Sequence, residues 1–182
     1  GTASGGLGND VLRNIENAVG SVFGDTLTGS AVDNELYGEA GNDTLVASTG
    51  SDRLDGGIGL DTAVYNLARS AYTLTRTSTG EHRLEKPDAA GIDTLLRVER
   101  LQFASGSPSV ALDLDAGAGQ VAKLLGAVFG PAAVANREYA GIGLNLVDGG
   151  MGYEALGALA VGAAGASTPA AVVALLWTNV VG

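Results

Sequence analysis

Six positions carry side-chain oxygens in a nearly regular series: Asp10, Asp25, Asn34, Asp43, Asp52 and Asp61, the last five spaced by nine residues. Carboxylate and amide oxygens are donors for a hard cation, and calcium gathers roughly six to eight of them. The softer donors are almost missing, since the chain has no Cys and a single histidine, His82. It has no HExxH helix, and a Ser-His-Asp triad would have to use that one imidazole. His82 lies among Glu81, Arg83 and Glu85 and reads as a solvated strand residue. The series therefore points to metal binding, and an enzyme is not expected. With 20 acidic residues against 10 basic and a net charge of −10, a nucleic-acid partner is not expected either.

The spacing also dictates what must hold those oxygens. Two residues after each comes Leu12, Leu27, Leu36, Leu45, Leu54 or Ala63. Five residues before each comes glycine, except for Ala47. A triplet such as Thr44-Leu45-Val46 makes a short strand whose middle side chain alone points inward. The six residues before it make a turn, in which glycine supplies backbone angles that other residues avoid. Two strands and two turns close one coil, so the chain winds as a flattened right-handed roll and like turns stack eighteen residues apart. That stacking pairs Asp25 with Asp43 and Asp43 with Asp61 on one side, and Asn34 with Asp52 on the other. Turn carbonyls and these side chains then converge between coils into an all-oxygen cage suited to calcium.

Asn34 brings no charge, and Val32 stands where its turn should have glycine, so that side should bind more weakly. Asp10 precedes Asp25 by fifteen residues, and Asn14 to Val19 read as an insertion. An Asp10/Asp25 pair therefore requires a shortened turn. Residues 1–64 hold ten acidic and two basic residues, with one inward apolar side chain per block. Such a roll cannot offset chain entropy by burial alone, so a cation must complete it.

The blocks GGLGNDVLR, GSVFGDTLT, GSAVDNELY, GEAGNDTLV, ASTGSDRLD and GGIGLDTAV resemble the RTX (repeats-in-toxin) nonapeptide family, GGxGxDxUx. The resemblance covers residues 5 to 64. It implies a right-handed parallel β-roll that binds calcium, export by type I secretion machinery, and a place outside the cell or on a bacterial cell surface.

The expected architecture is mainly β, then α. Residues 1–64 form the roll, 65–112 a β cap and 113–182 a small helical bundle. In the cap, Ala71–Thr77 and Glu81–Glu85 alternate as two antiparallel strands. Asp93–Phe103 echoes Asp10–Asn17 and should pack as an edge coil, covering apolar surface that a stack leaves open. In the tail, Gln120–Phe129, Tyr153–Ala164 and Ala170–Val181 read as helices, with a turn marked by Asn145, Asp148-Gly149-Gly150 and Gly152. The stretches AKLLGAVFG, YAGIGLNLVDGGMGYEALGALA and VVALLWTNVVG resemble a helical domain of unassigned function that often follows RTX repeats. Trp177, Met151 and Tyr153 read as core or helix-packing residues. Asp113-Leu114-Asp115 begins like an EF-hand loop, but Ala118 and Leu124 replace its glycine and closing glutamate, so an acidic turn leading a helix is expected.

No apolar run is long enough to span a bilayer, and the Gly1 start suggests a piece of a longer protein. The functional expectation is a calcium-binding structural and secretion module that folds after export. The alternative is an adhesin or surface-layer-type module that recognises a glycan or a partner protein.

Overall fold

The computed structural model of the chain describes residues 2–5 and 8–11 as backbone, and 16–104 and 109–180 with their side chains. It divides into two compact units, Gly1–Leu112 and Asp113–Gly182.

The first unit is built of short strands: β1 (Thr2–Gly5), β2 (Gly8–Val11), β3 (Asn17–Val19), β4 (Thr26–Thr28), β5 (Glu35–Tyr37), β6 (Thr44–Val46), β7 (Arg53–Asp55) and β8 (Thr62–Val64). From β3 onward they alternate between two sheets, so each pairs in parallel with the strand eighteen residues away. One sheet matches Thr26 with Thr44 and Thr44 with Thr62; the other matches Asn17 with Glu35 and Glu35 with Arg53. Each triplet buries its middle residue. Leu27, Leu36, Leu45, Leu54 and Ala63 are all at most 2% exposed and form one continuous core.

The roll begins differently from the expectation. Asn14–Val19 is not simply an insertion, because β3 is a strand of the roll with Glu16 at the sixth position of its block and Ala18 at the eighth. The phase was hidden because Val11 replaces the leading glycine and Ala18 the leucine. The block holding Asp10 is not a further parallel coil. Its strand β2 runs antiparallel to β1, and β1 takes the place beside β4. Leu12 and Arg13 lie outside the described residues.

The chain then leaves the roll and returns to cap it, through β9 (Thr73–Arg76), β10 (His82–Glu85), β11 (Ile92–Leu96), β12 (Arg100–Gln102) and β13 (Val110–Ala111). Antiparallel β9 and β10 extend the second sheet beyond β11. β11 pairs in parallel with β7, and β12 with β8, so residues 92–102 form one more coil of the roll. Leu95 and Leu101 extend the buried column, and a cluster of Tyr65, stacked on Phe103, and Tyr72, tilted against both, adjoins it.

The second unit holds α1 (Gly117–Phe129), α2 (Arg137–Asp148), α3 (Tyr153–Ala163) and α4 (Pro169–Val180). The sequence reading missed α2. Its start is capped by Asn136, whose side chain accepts the N–H groups of Glu138 and Tyr139, and Asn145 lies inside it rather than in the turn. Two glycines, Gly141 and Gly143, weaken the helical signal there. Gly143 is required because a Cβ would collide with Val121 of α1. Trp177 and Tyr153 are exposed rather than core residues, while Met151 packs on the Val121–Leu125–Leu156 cluster. Asp113 does head a helix-leading turn, with its Oδ2 accepting the Ala118 N–H. No described helix is long and apolar enough to cross a membrane.

Candidate metal centre

The eighteen-residue register places the sixth-position residues in two columns, one on each edge of the roll. Along the first, Asp25 N–H donates to Asp43 Oδ1 at 2.8 Å, Asp43 N–H to Asp61 Oδ1 at 2.8 Å, and Asp61 N–H to Glu99 Oε2 at 2.8 Å. Along the second, Asn34 N–H donates to Asp52 Oδ1 at 3.0 Å and Asp52 N–H to Asp93 Oδ1 at 2.8 Å. Glu16 heads the second column with its carbonyl, which accepts from Glu35 N–H. Each carboxylate thus uses one oxygen to hold the coil before it. Such charge-assisted bonds are about twice as strong as neutral ones.

The second oxygen distinguishes the turns. Where serine is the second residue of the turn, its N–H closes the loop: Ser21 to Asp25 Oδ2 at 2.6 Å, Ser30 to Asn34 Oδ1 at 2.6 Å, and Ser48 to Asp52 Oδ2 at 3.2 Å. In the turns before Asp43 and Asp61 that second residue is Glu39 or Gly57. Both adopt the left-handed conformation, with φ of 76° and 99°. Asp43 Oδ2 and Asp61 Oδ2 are consequently buried with no hydrogen-bond partner among the described residues. A buried polar atom left unpaired costs about 1–3 kcal/mol, and more when charged.

Backbone oxygens face the same spaces. A Cβ on Gly38 would collide with Asp43 Oδ2 and Gly56 O, and one on Gly56 with Asp61 Oδ2 and Arg97 O. Only a residue without a side chain leaves these cradles open. Next to them, Asp55 Oδ1 pairs with Arg97 Nη2 at 2.6 Å. Among the described residues no three acidic, His or Cys side chains converge, so a cation here must draw on carbonyls as well as carboxylates. That mixed oxygen set is the one calcium takes.

The electrostatics agree. Burial raises the Asp61 carboxyl to about 6, although the Asp43 N–H pulls it down, and the charges of Glu99, Asp43 and Asp55 add to the rise. Burial raises Asp43 as well.

The second column has a different neighbour. Lys86 enters beside Asp52 and Asp93, and Tyr65 donates its hydroxyl to Asp93 Oδ2 at 3.0 Å. Burial raises Asp93 to about 6 even with Lys86 alongside.

Of the residues expected from the sequence, the structure brings Asp25, Asp43 and Asp61 into one column and Asn34 and Asp52 into the other. The Asp10 side chain lies outside the described residues. Sequence reasoning missed Glu16, Asp93, Glu99 and Lys86 as members of the columns. The Asp93-Thr94-Leu95 triplet carried a signal, because it repeats Asp43-Thr44-Leu45. Glu99 and Lys86 sit in turns of other lengths, outside any nine-residue phase.

Against known proteins, a family model described as RTX calcium-binding nonapeptide repeat (4 copies) matches residues 19–54 and, overlapping them, 28–63. No curated protein matches the chain.

Proposed function

Because the chain carries RTX calcium-binding nonapeptide repeats, we propose that residues 1–112 are a calcium-dependent folding module of an exported bacterial protein. RTX nonapeptide repeats bind calcium ions. The observation that carries the reading is the pair of orphaned, buried oxygens, Asp43 Oδ2 and Asp61 Oδ2, facing glycine cradles lined by carbonyls. In this reading Asp43 and Asp61 hold calcium together with the carbonyls of Gly56 and Arg97. Asp25 contributes at the N-terminal end of the column, and Asn34 is a weaker, neutral donor. The ion supplies positive charge where the fold has buried negative charge.

The proposed role follows from charge and burial together. Where calcium is scarce, the acidic turns repel and the thin core cannot hold them, so the calcium-dependent coils stay extended, the state that suits a secretion channel. Outside the cell, where calcium is plentiful, binding free energy becomes folding free energy. Type I secretion and an extracellular or cell-surface location belong to this proposal. So does the division into roll, cap and a helical tail that needs no metal.

The test is circular dichroism of the full chain in excess chelator, followed by calcium. Strand signal should fall in chelator at neutral pH and recover with calcium. A strand signal indifferent to both would overturn the reading. Magnesium should substitute poorly, because it keeps its waters and requires a tighter octahedron.

A further inference from the structure

On the second column, a side chain of the protein itself reaches the oxygens. Lys86 lies between β10 and the Pro87–Ala89 turn and sends its ammonium inward. Its Nζ lies 2.6 Å from Ser48 O, 2.8 Å from Gly50 O, 2.9 Å from Asp52 Oδ2 and 2.6 Å from Asp93 Oδ1. The three charged side chains are 4%, 1% and 0% exposed for Lys86, Asp52 and Asp93.

We propose that Lys86 is a resident cation: its ammonium fills the cation position between Asp52 and Asp93, so this end of the roll is closed to calcium and folds without it. Three features support the assignment. First, the donors are two turn carbonyls and one carboxylate from each of two successive coils, the oxygen chemistry of a calcium cage. Second, an ammonium has three protons for four oxygens, so at least one oxygen is held by charge rather than by a well-aligned bond. Third, the chain contains its own comparison. Asp43 and Asp52 hold the same station and give Oδ1 to the same kind of N–H, yet Asp43 Oδ2 is orphaned and Asp52 Oδ2 meets Lys86.

Contact distances of 2.6–2.9 Å exceed the calcium–oxygen range of about 2.3–2.6 Å by only a few tenths of an ångström. Small shifts would therefore let the ion replace the ammonium. The cap is anchored around the same point, with Gly50 N–H donating to Ala90 O and Lys86 N–H to Gly91 O. A metal-free locked end gives the calcium-dependent coils a preformed surface on which to stack.

The inference deepens the calcium reading, and only its second arm rests on that reading. In the first arm, hydrogen exchange is followed on the full wild-type chain in chelator. The amides of Asp52 and Thr94, which donate to Asp93 Oδ1 and Asp52 O, should stay protected. In Lys86→Ala that protection should fall about a hundredfold or more, the scale of a broken buried ion pair. Free exchange at these amides in wild type, or equal protection in the variant, overturns the proposal. In the second arm, titration calorimetry should find one more calcium per chain in Lys86→Ala than in wild type. An unchanged stoichiometry overturns the proposal, as does a variant that calcium cannot fold. If wild type bound no calcium at all, the proposed function would fail, and the first arm would still decide the role of Lys86.

Discussion

Asp43 and Asp52 occupy equivalent positions on opposite edges of the roll, and each commits Oδ1 to an N–H eighteen residues earlier. What differs is the partner of Oδ2: none among the described residues for Asp43, and the Lys86 ammonium for Asp52. Neutralising each carboxylate should therefore have different consequences. Asp43→Asn removes charge from a cradle built of a carboxylate and backbone carbonyls, so calcium affinity should drop tenfold or more and stoichiometry should fall. Asp52→Asn should leave calcium stoichiometry unchanged and destabilise the fold by about 1–3 kcal/mol, because it weakens one charge-assisted contact while Lys86 keeps its pair with Asp93. Calorimetry for the ion and denaturant unfolding in saturating calcium separate the two. Equal losses of calcium in both variants would show that the two columns are loaded alike.

The turn is the element that decides whether a column can take an ion, and its first two residues carry the decision. At Gly38 the backbone angles are ordinary, but a Cβ would meet Asp43 Oδ2 and Gly56 O, so space alone requires the glycine. At Glu39 the reverse holds: φ is 76°, a conformation that costs an L-residue about 1–2 kcal/mol. Gly38→Ala should therefore destabilise the roll by about 1–3 kcal/mol and weaken calcium binding. Its neighbour Glu39→Gly should stabilise by up to about 1 kcal/mol. Thermal unfolding in calcium reads both, and shifts of the same sign would refute this account of the turn. The nine-residue phase made the triplets, the inward leucines and the eighteen-residue register legible in the sequence, because glycine, aspartate and leucine each answer one local demand. The phase is lost where a tertiary contact takes over a role that a local residue usually plays. Ala18 is covered by packing against Leu36 and its neighbours without being a leucine, and Lys86 supplies charge from a hairpin 34 residues beyond Asp52. The helix α2 was hidden for a related reason, since Gly143 lowers helix propensity in order to admit Val121.

At the scale of the whole molecule, the roll is a stack of buried acids whose stability must depend on both protons and calcium, which compete for the same carboxylate. Asp61 and Asp93 are each raised to about 6, from an ordinary value of 3.8, with burial as the largest cause. A carboxyl raised by folding favours the fold when protonated. Its contribution is fully present below about pH 4 and is lost as pH rises through about 6. In chelator the roll should therefore be more stable at pH 5 than at pH 7.5. Calcium reverses the preference, because it binds the carboxylate and must displace the proton on Asp61. Its affinity should fall by about tenfold for each pH unit below 6. Asp93 contributes to the chelator trend but not to the calcium trend, since its counter-charge is the Lys86 ammonium. Melting temperatures measured with calcium and with chelator, at pH 5 and pH 7.5, give the four values needed. The rise produced by calcium should be large at pH 7.5 and should shrink towards pH 5. If calcium raised the melting temperature equally at both, no proton would be displaced on binding, and Asp61 would not be a ligand.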